Sequence, residues 1–306
     1  MTLASVLGVL TFLFLIIRLA PGDPASLLLG DYAGSVSAEE LLNIRKRLGV
    51  DKPLYVQYFN YLSHSLQGDL GRSFRTGRAV SSEIAGNITP TLTLAGAGIM
   101  IAIMVGIPAG VYSATRRGSW HDLVGMTLAS AAFAAPNFWF AIILIYVFAY
   151  RLGWFPIFGS GAGQDSLTVL HHLVLPAAAI GLRYAALIAR MSRSAMLEVL
   201  SADYVRTALA KGLTRRRVLY KHALQNASIP IVTVIGLEAA FLLGGTVVVE
   251  SVFARPGLGK LLFDAMFARD YPVVQGVVVF FAVLVVLLNW IVDMVYAMLD
   301  PRVRYT

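Results

Sequence analysis

Long apolar runs separated by short polar stretches set the rhythm of this chain. Leu3–Ala20, Pro90–Ala114, Leu123–Tyr150, Leu173–Ala189, Ile229–Val249 and Val273–Leu299 are each almost free of charge. A helix needs about 20 such residues to cross the hydrocarbon of a bilayer, so the pattern predicts an all-α polytopic membrane protein with about six transmembrane helices. The first run is broken only by Arg18 near its end. A signal peptide is its competing reading, but no basic region precedes it and Pro21-Gly22-Asp23-Pro24 is a poor cleavage site. It is therefore read as a membrane helix. The second run carries Gly96, Gly98, Gly106 and Gly110, which permit close helix packing. The third is interrupted by Pro136-Asn137, read as a kink, and the fourth is weakened by Arg183.

Two polar segments break this rhythm. Residues 21–87 hold seven Lys/Arg and seven Asp/Glu. Within them Ser37-Ala38-Glu39-Glu40 forms a capping box ahead of Leu41, Ile44 and Leu48, with a stop at Gly49. Pro53 suits the first turn of a second helix bearing Tyr55, Tyr58, Phe59, Leu62 and Leu66 in register. This segment is read as a small cap whose aromatic face either rests on the rest of the protein or meets an external partner. The other polar segment, 198–230, predicts two short helices about a break. Its first helix runs from Glu198 to Ala210, Gly212 supplies a left-handed stop, Thr214 caps a second helix reaching Asn226, and Pro230 opens the next apolar run. Arg193 to Lys221 contains seven Lys/Arg against Glu198 and Asp203. A helix-turn-helix this basic suits DNA, but the apolar runs that border it point to a docking surface on a membrane protein.

Composition agrees. Hydrophobic residues make up 58% of the 306, charged residues 14%, and mean hydropathy is +0.72; soluble proteins carry about 25% charged residues. The net charge is +8, which for membrane loops reflects the anionic cytoplasmic leaflet rather than nucleic acid. Arg116 and Arg117 lie in the loop between the second and third runs, whereas 152–172 has no Lys or Arg. The basic segment and the tail with Arg302 and Arg304 share the side of Arg116 and Arg117, which is read as cytoplasmic, with both termini there. Arg255, Lys260 and Arg269 run against this rule, offset by Glu250, Asp264 and Asp270.

No catalytic constellation emerges. Cysteine is absent, so thiol and thiolate-metal chemistry is excluded. Gly257-Leu258-Gly259-Lys260 lacks the spacing of a phosphate loop. The histidines at 64, 121, 171, 172 and 222 have no metal-ligand spacing. Glu238, about ten residues into the fifth run, is the one intramembrane carboxylate singled out. A charge at that depth costs about 3 kcal/mol unless it meets a polar cavity or a partner. Glu238 is therefore read as lining a pathway, with pairing to Arg183 or a retained proton as the alternatives.

At Arg206–Gly212, RTALAKG, the basic segment resembles the EAA loop of ABC importer permeases. The resemblance extends through APGDP (Ala20–Pro24), LGVDKPLYVQYFNYL (Leu48–Leu62), GDLGRSF (Gly68–Phe74), GIPAGV (Gly106–Val111), LPA (Leu175–Ala177), VFARPGLGKLL (Val252–Leu262), RDYPVVQG (Arg269–Gly276) and LDPRVRY (Leu299–Tyr305). By these motifs the chain is similar to the dipeptide/oligopeptide ABC importer permeases, and most like the first of their two paired permease subunits. Arg206 and Thr207 replace the first two letters of the general EAA pattern, Gln225 stands where that pattern has proline, and Glu238 where glutamine is expected. Family members begin with a basic cytoplasmic stub, whereas this sequence starts almost inside its first helix.

The resemblance implies a type I importer permease fold: a first transmembrane helix at 1–20, an extracytoplasmic helical loop at 21–87, a permease core at 88–299 containing the coupling loop 198–230, and a cytoplasmic tail at 300–306. It implies a transport subunit rather than an enzyme, without cofactor or metal, in the bacterial inner membrane. Its implied partners are a second, homologous permease, two cytosolic ATP-binding subunits and an extracytoplasmic substrate-binding protein. The cargo would be dipeptides or oligopeptides, with glutathione, nickel complexes or sugars as alternatives in the same family. A secondary transporter using Glu238 for ion coupling is the alternative from another class. Arg206, Thr207, Ala208, Gly212, Arg215, Arg216 and Arg217 would form the ATPase-coupling surface. For the arginine triplet, contact with lipid head groups stays open beside ATPase docking.

Overall fold

The computed structural model describes residues 2–19, 37, 39, 41–42, 45–46 and 51–299. Pro21–Pro24, Ala38 and Glu40 of the capping box, Ile44, Leu48, Gly49 and the tail with Arg302 and Arg304 lie outside them. Among the described residues the regular structure is helical, apart from one isolated bridge between Arg72 and Ala79. The helices are α1 (Thr2–Leu19), α2 (Leu54–Leu66), α3 (Val80–Thr115), α4 (Trp120–Ala134), α5 (Asn137–Leu144, continued by a π-helical segment Ile145–Arg151), α6 (Ser166–Ser201), α7 (Asp203–Ala210), α8 (Arg215–Arg217, continued by π-helical Val218–Ala223), α9 (Leu224–Val252), α10 (Leu258–Phe267) and α11 (Tyr271–Leu299).

Four described helical stretches are long and apolar enough to cross a membrane: α3, α6, the run Arg215–Val252 and α11. The pair α4 and α5 passes the same test as one bent span. The 18 residues of α1 rise about 27 Å, close to the hydrocarbon thickness; the other described helices supply four spans, or five with the bent pair, against the six expected from hydropathy. Both α3 and α6 have 36 residues, about 54 Å, so each outruns the bilayer. The apolar run at 173–189 marked only the middle of α6.

The interruption at Pro136 is sharper than a kink. The axes of α4 and α5 diverge by 107°. Proline lacks the N–H that would continue the ladder and forces its predecessor out of the helical region. Ala135 accordingly has ψ 138° and Pro136 ψ 145°. Pro90, Pro108, Pro176 and Pro230 lie inside helices instead. Pro230 therefore does not open the fifth span; the helix runs through it from Leu224.

The chain forms two compact units, Met1–Thr89 with Leu261–Val286, and Pro90–Lys260 with Leu287–Thr306. In the first unit, Phe14 of α1 meets Tyr58 edge-on at 5.4 Å and stacks on Tyr61 at 5.8 Å. The Thr11 and Tyr58 hydroxyls lie 2.8 Å apart. The apolar face expected on α2 is split: Tyr58 and Leu62 are half-buried, with Tyr61 beside them, whereas Tyr55, Phe59 and Leu66 are exposed. The positions of the preceding segment that are described fit the expected helix, with Glu39, Leu41, Leu42, Arg45 and Lys46 helical and the Leu41 N–H donating to Ser37 O at 3.1 Å. Asp270, just before α11, accepts from the Ser73 hydroxyl at 2.5 Å, from the Phe74 N–H at 3.0 Å and from the Arg75 N–H at 3.3 Å. These bonds fasten the loop after α2 to the start of α11.

In the second unit, α3 and α6 cross through small residues. A side-chain carbon at Gly106 would meet Ala185 O at 2.7 Å and Ile188 at 2.9 Å; one at Gly181 would meet Gly98 O at 2.7 Å. At Gly110 the obstruction is Ala189 O and Ser192. Gly98, Ala102, Gly106 and Gly110 recur every four residues, the small-residue stripe that lets backbones approach in a membrane. Gly96, off this stripe, faces open space.

Candidate functional site: a basic elbow and an intramembrane charge cluster

The basic segment folds as an elbow with different boundaries from those expected. Glu198 belongs to the last turn of α6, and the break comes at Ala202, whose ψ is 146°. The first arm is thus α7 alone, Asp203–Ala210. It ends in a Schellman cap: the Leu213 N–H donates to Ala208 O at 3.3 Å and the Gly212 N–H to Leu209 O at 3.0 Å. Gly212 holds φ +83°, a left-handed backbone that glycine adopts without steric cost. Thr214 occupies the cap position of α8 with extended backbone, but its side chain makes no capping bond. The second arm is α8 and the π-helical Val218–Ala223, which flow into α9 without a break.

Two valines pin this elbow. Val205 and Val218 are 3% and 2% exposed, and the Asn226 side-chain N–H donates to the Tyr204 hydroxyl at 2.8 Å. Ala223 is buried with them, and the polar side chains of the elbow mostly turn outward. Arg206, Thr207, Lys211, Gly212, Arg215, Arg216 and Arg217 are exposed, and Ala208 is half-buried. Arg206 pairs with Asp203 at 3.7 Å, but both side chains are largely solvated, so the pair contributes little. The Thr207 hydroxyl is satisfied by Asp203 O at 3.0 Å. Arg215, Arg216 and Arg217 form no ion pair within 4 Å among the described residues. The structure therefore gathers all seven residues expected for coupling on one protruding elbow. Glu238 stands apart from them, mid-way along α9.

Above the elbow, Asp122 clasps Arg193 of α6 with both carboxylate oxygens, at 2.6 and 2.7 Å. Asp122 also accepts from the Gly118 N–H at 3.0 Å, and its own N–H donates to the Ser119 hydroxyl at 3.3 Å, capping α4. The α3–α4 turn is thus tied to α6 ten residues before α7 begins. Reading the sequence missed this pair, because two charges 71 positions apart carry no periodic signal.

Glu238 sits 14 residues from either end of α9, and Arg183 lies 17 residues from one end of α6 and 18 from the other. Their charges interact, yet they form no ion pair within 4 Å among the described residues. The Arg183 guanidinium lies instead over the rings of Phe133 at 5.0 Å and Tyr184 at 5.6 Å, with its Nε buried and unpartnered. Arg190, two turns on, lies over the same Phe133 ring at 5.5 Å. Asn137, at the α4–α5 break, has a buried Oδ1 without a partner. Its Nδ2 and the Tyr184 hydroxyl both approach Gly245, at 3.0 and 3.6 Å from where a side-chain carbon would stand.

At one end of α9 the fully buried Glu250 accepts from the Thr91 hydroxyl at 2.6 Å and the Lys260 N–H at 3.0 Å. Gly257 and Gly259 pack directly on its carboxylate. The phosphate-loop lookalike is thus closed on the protein's own carboxylate and is filled by Glu250 rather than open to a phosphate. His171 and His172 bond to backbone oxygens, of Trp154 at 2.6 Å and Thr168 at 2.8 Å.

This architecture has known relatives. Residues 106–305 match the family described as the binding-protein-dependent transport system inner membrane component, and residues 2–95 match its N-terminal component. Over 300 residues the chain is 43% identical to the glutathione transport system permease protein GsiC of Salmonella choleraesuis (strain SC-B67), covering 98% of this chain and 94% of that protein. Identity to the GsiC of Escherichia coli (strain K12) is 42% with the same coverage. The fold is similar to that of the inward-facing MetNI methionine ABC transporter, with TM-score 0.61 at 18% identity over 71% of this chain and 96% of that one. It is also similar to an amino acid ABC transporter with histidines, with TM-score 0.53 at 15% identity over 71% and 94%. Family and apolar helices make this a multi-pass inner membrane protein, and permeases of this kind work with ATP-binding and substrate-binding partners. The chain belongs to the binding-protein-dependent transport system inner membrane component family and is a permease subunit of an ABC importer.

Proposed function

We propose that this subunit forms half of a peptide translocation pathway, pairing with a homologous permease on two cytosolic ATPases and receiving cargo from an extracytoplasmic binding protein. ATP hydrolysis belongs to the ATPase chains. The elbow carries this reading. It is pinned from within by Val205 and Val218, shaped by the left-handed Gly212, and exposed over Arg206, Thr207 and Arg215–Arg217. A rigid projection of this kind transmits closure of a docked subunit as rigid-body motion. The Asp122–Arg193 clasp hands that motion to the α3–α4 turn. The arginine triplet supplies positive charge for acids on the ATPase. On this orientation both termini and the elbow are cytoplasmic, and residues 21–87 face the binding protein.

Glu238 lines the pathway. A carboxylate half-way along a spanning helix, beside the exposed Leu237 and Phe241, is costly against lipid and is relieved by a watered channel shared with the second permease. The similarity to GsiC, named as a glutathione permease, favours small peptides as cargo. Purification of a tagged chain in mild detergent tests the assembly. ATPase subunits and a second permease are expected in stoichiometric recovery; their absence would overturn the proposal.

A further inference from the structure

The charges at mid-membrane do not cancel, and their arrangement has a chemical complement. Arg183 is at the centre of α6 and Glu238 at the centre of α9, where each ion costs about 3 kcal/mol without a partner. An ion pair made only for stability would close to hydrogen-bonding distance and satisfy both groups. This one does not close. Arg183 is held by the faces of Phe133 and Tyr184, and Arg190 by the same Phe133. Cation–π contacts of this kind fix a guanidinium without consuming its N–H groups, and the Arg183 Nε indeed has no acceptor. The Tyr184 hydroxyl shares one Arg183 donor, but the Arg183 Nε and the Arg190 guanidinium are oriented and open, beside a single carboxylate. Guanidinium forks bind carboxylates bidentately.

We propose that Arg183, Arg190 and Glu238 form a recognition station, running from mid-membrane to the end of the apolar run of α6, for a peptide carrying two carboxylates and one ammonium group. This rests on the pathway reading of Glu238 above and names the cargo within it. The tally is two cations to one anion, so a ligand of net charge −1 neutralises the station. A zwitterion of net charge zero leaves one arginine unpaired, and a cationic peptide adds to the excess. Spacing supports the same ligand. Seven residues of α6 separate Arg183 from Arg190, a rise of about 10 Å, and three residues of extended chain span about 10 Å. A tripeptide with a carboxylate at each end therefore bridges the two arginines while its ammonium group meets Glu238. Phe133 between them supplies an apolar surface for the middle of the ligand.

The test uses the whole importer with its binding protein, reconstituted in proteoliposomes with ATP. Uptake is measured for glutathione, which has two carboxylates and one ammonium group, and for trialanine, which has one of each. The wild type is expected to favour glutathione in kcat/KM. R183Q and R190Q are each expected to lower the glutathione value about tenfold or more while changing the trialanine value less than about threefold. R183K, which keeps the charge but loses the fork, is expected to fall between wild type and R183Q. E238Q is expected to weaken both peptides equally, because both carry the ammonium group. Equal losses for both peptides in R183Q and R190Q, or no loss in either, would overturn the station. So would a wild type that takes trialanine as well as glutathione, or neither. If R183Q does not assemble, the exposed Arg190 still gives the discriminating variant. ATPase subunits recovered with the wild type, in a complex without this charge preference, would refute the station and leave the permease reading standing.

Discussion

The Asp122–Arg193 clasp permits a prediction whose magnitude and asymmetry follow from its geometry. Two short parallel bonds join the pair, Asp122 is 6% exposed and Arg193 is 26% exposed. Removing one partner of a buried pair costs about 3–5 kcal/mol, because the survivor is left charged and dry. R193M strands a nearly buried carboxylate with the Gly118 N–H and the Ser113 hydroxyl as its remaining donors, so its cost should be about 3 kcal/mol. D122L strands a guanidinium that already reaches solvent, so discounting for screening leaves about 1–2 kcal/mol. The double variant D122L/R193M strands neither and should lie within about 1 kcal/mol of wild type. The coupling across the cycle is then about 3–6 kcal/mol and favourable. Denaturant unfolding in mild detergent, followed by tryptophan fluorescence, measures all four corners. Losses that simply add, or an R193M less damaging than D122L, would refute the assignment of the clasp as a buried and mutually dependent pair.

Other perturbations probe the elbow, the helix crossing and the loop anchor. G212A puts a side chain at φ +83°, costing about 1–2 kcal/mol; ATPase recovery with the tagged chain should fall, and unchanged recovery would show that the cap geometry is not needed for docking. G110V forces a side chain onto Ala189 O and Ser192 and should cost about 1–3 kcal/mol or more. G96V, in open space on the same helix, should stay within about 0.5 kcal/mol; thermal melts that fail to separate the two would refute the crossing. D270N weakens three bonds to Ser73, Phe74 and Arg75, about 1–3 kcal/mol, and should speed proteolysis between residues 67 and 79. An unchanged digestion pattern would mean that the loop is held by something else.

Much of the fold was legible because the bilayer imposes it. Spanning helices announce themselves by length and apolarity, and the six runs mark the cores of α1, α3, the α4–α5 pair, α6, α9 and α11. The left-handed residue of the elbow was legible too, since Gly212 follows good helix formers. The ends were not. Glu198 looked like the start of a coupling helix and proved to be the end of α6, because Glu and Leu favour helix equally on either side of a break. Pro230 looked like a boundary and proved internal, and Pro136 looked like a kink and proved to be a 107° turn. Local preference alone does not distinguish these prolines; the packing around each decides whether the helix continues.

The sequence by itself determined the class of protein, the membrane spans and a basic elbow suited to docking, all of which follow from local composition and short spacing. Tertiary structure decided what meets what. Asp122 and Arg193 are 71 residues apart, Thr91 and Glu250 are 159 apart, and no periodicity links either pair. The same holds at mid-membrane. Glu238 read alone was one isolated carboxylate with Arg183 as a conceivable mate. Folding placed Arg183 and Arg190 on a shared aromatic ring and kept Arg183 out of ion-pair reach of Glu238. The reason is physical: burial cost is written in single residues, whereas its compensation depends on which helices the fold brings together.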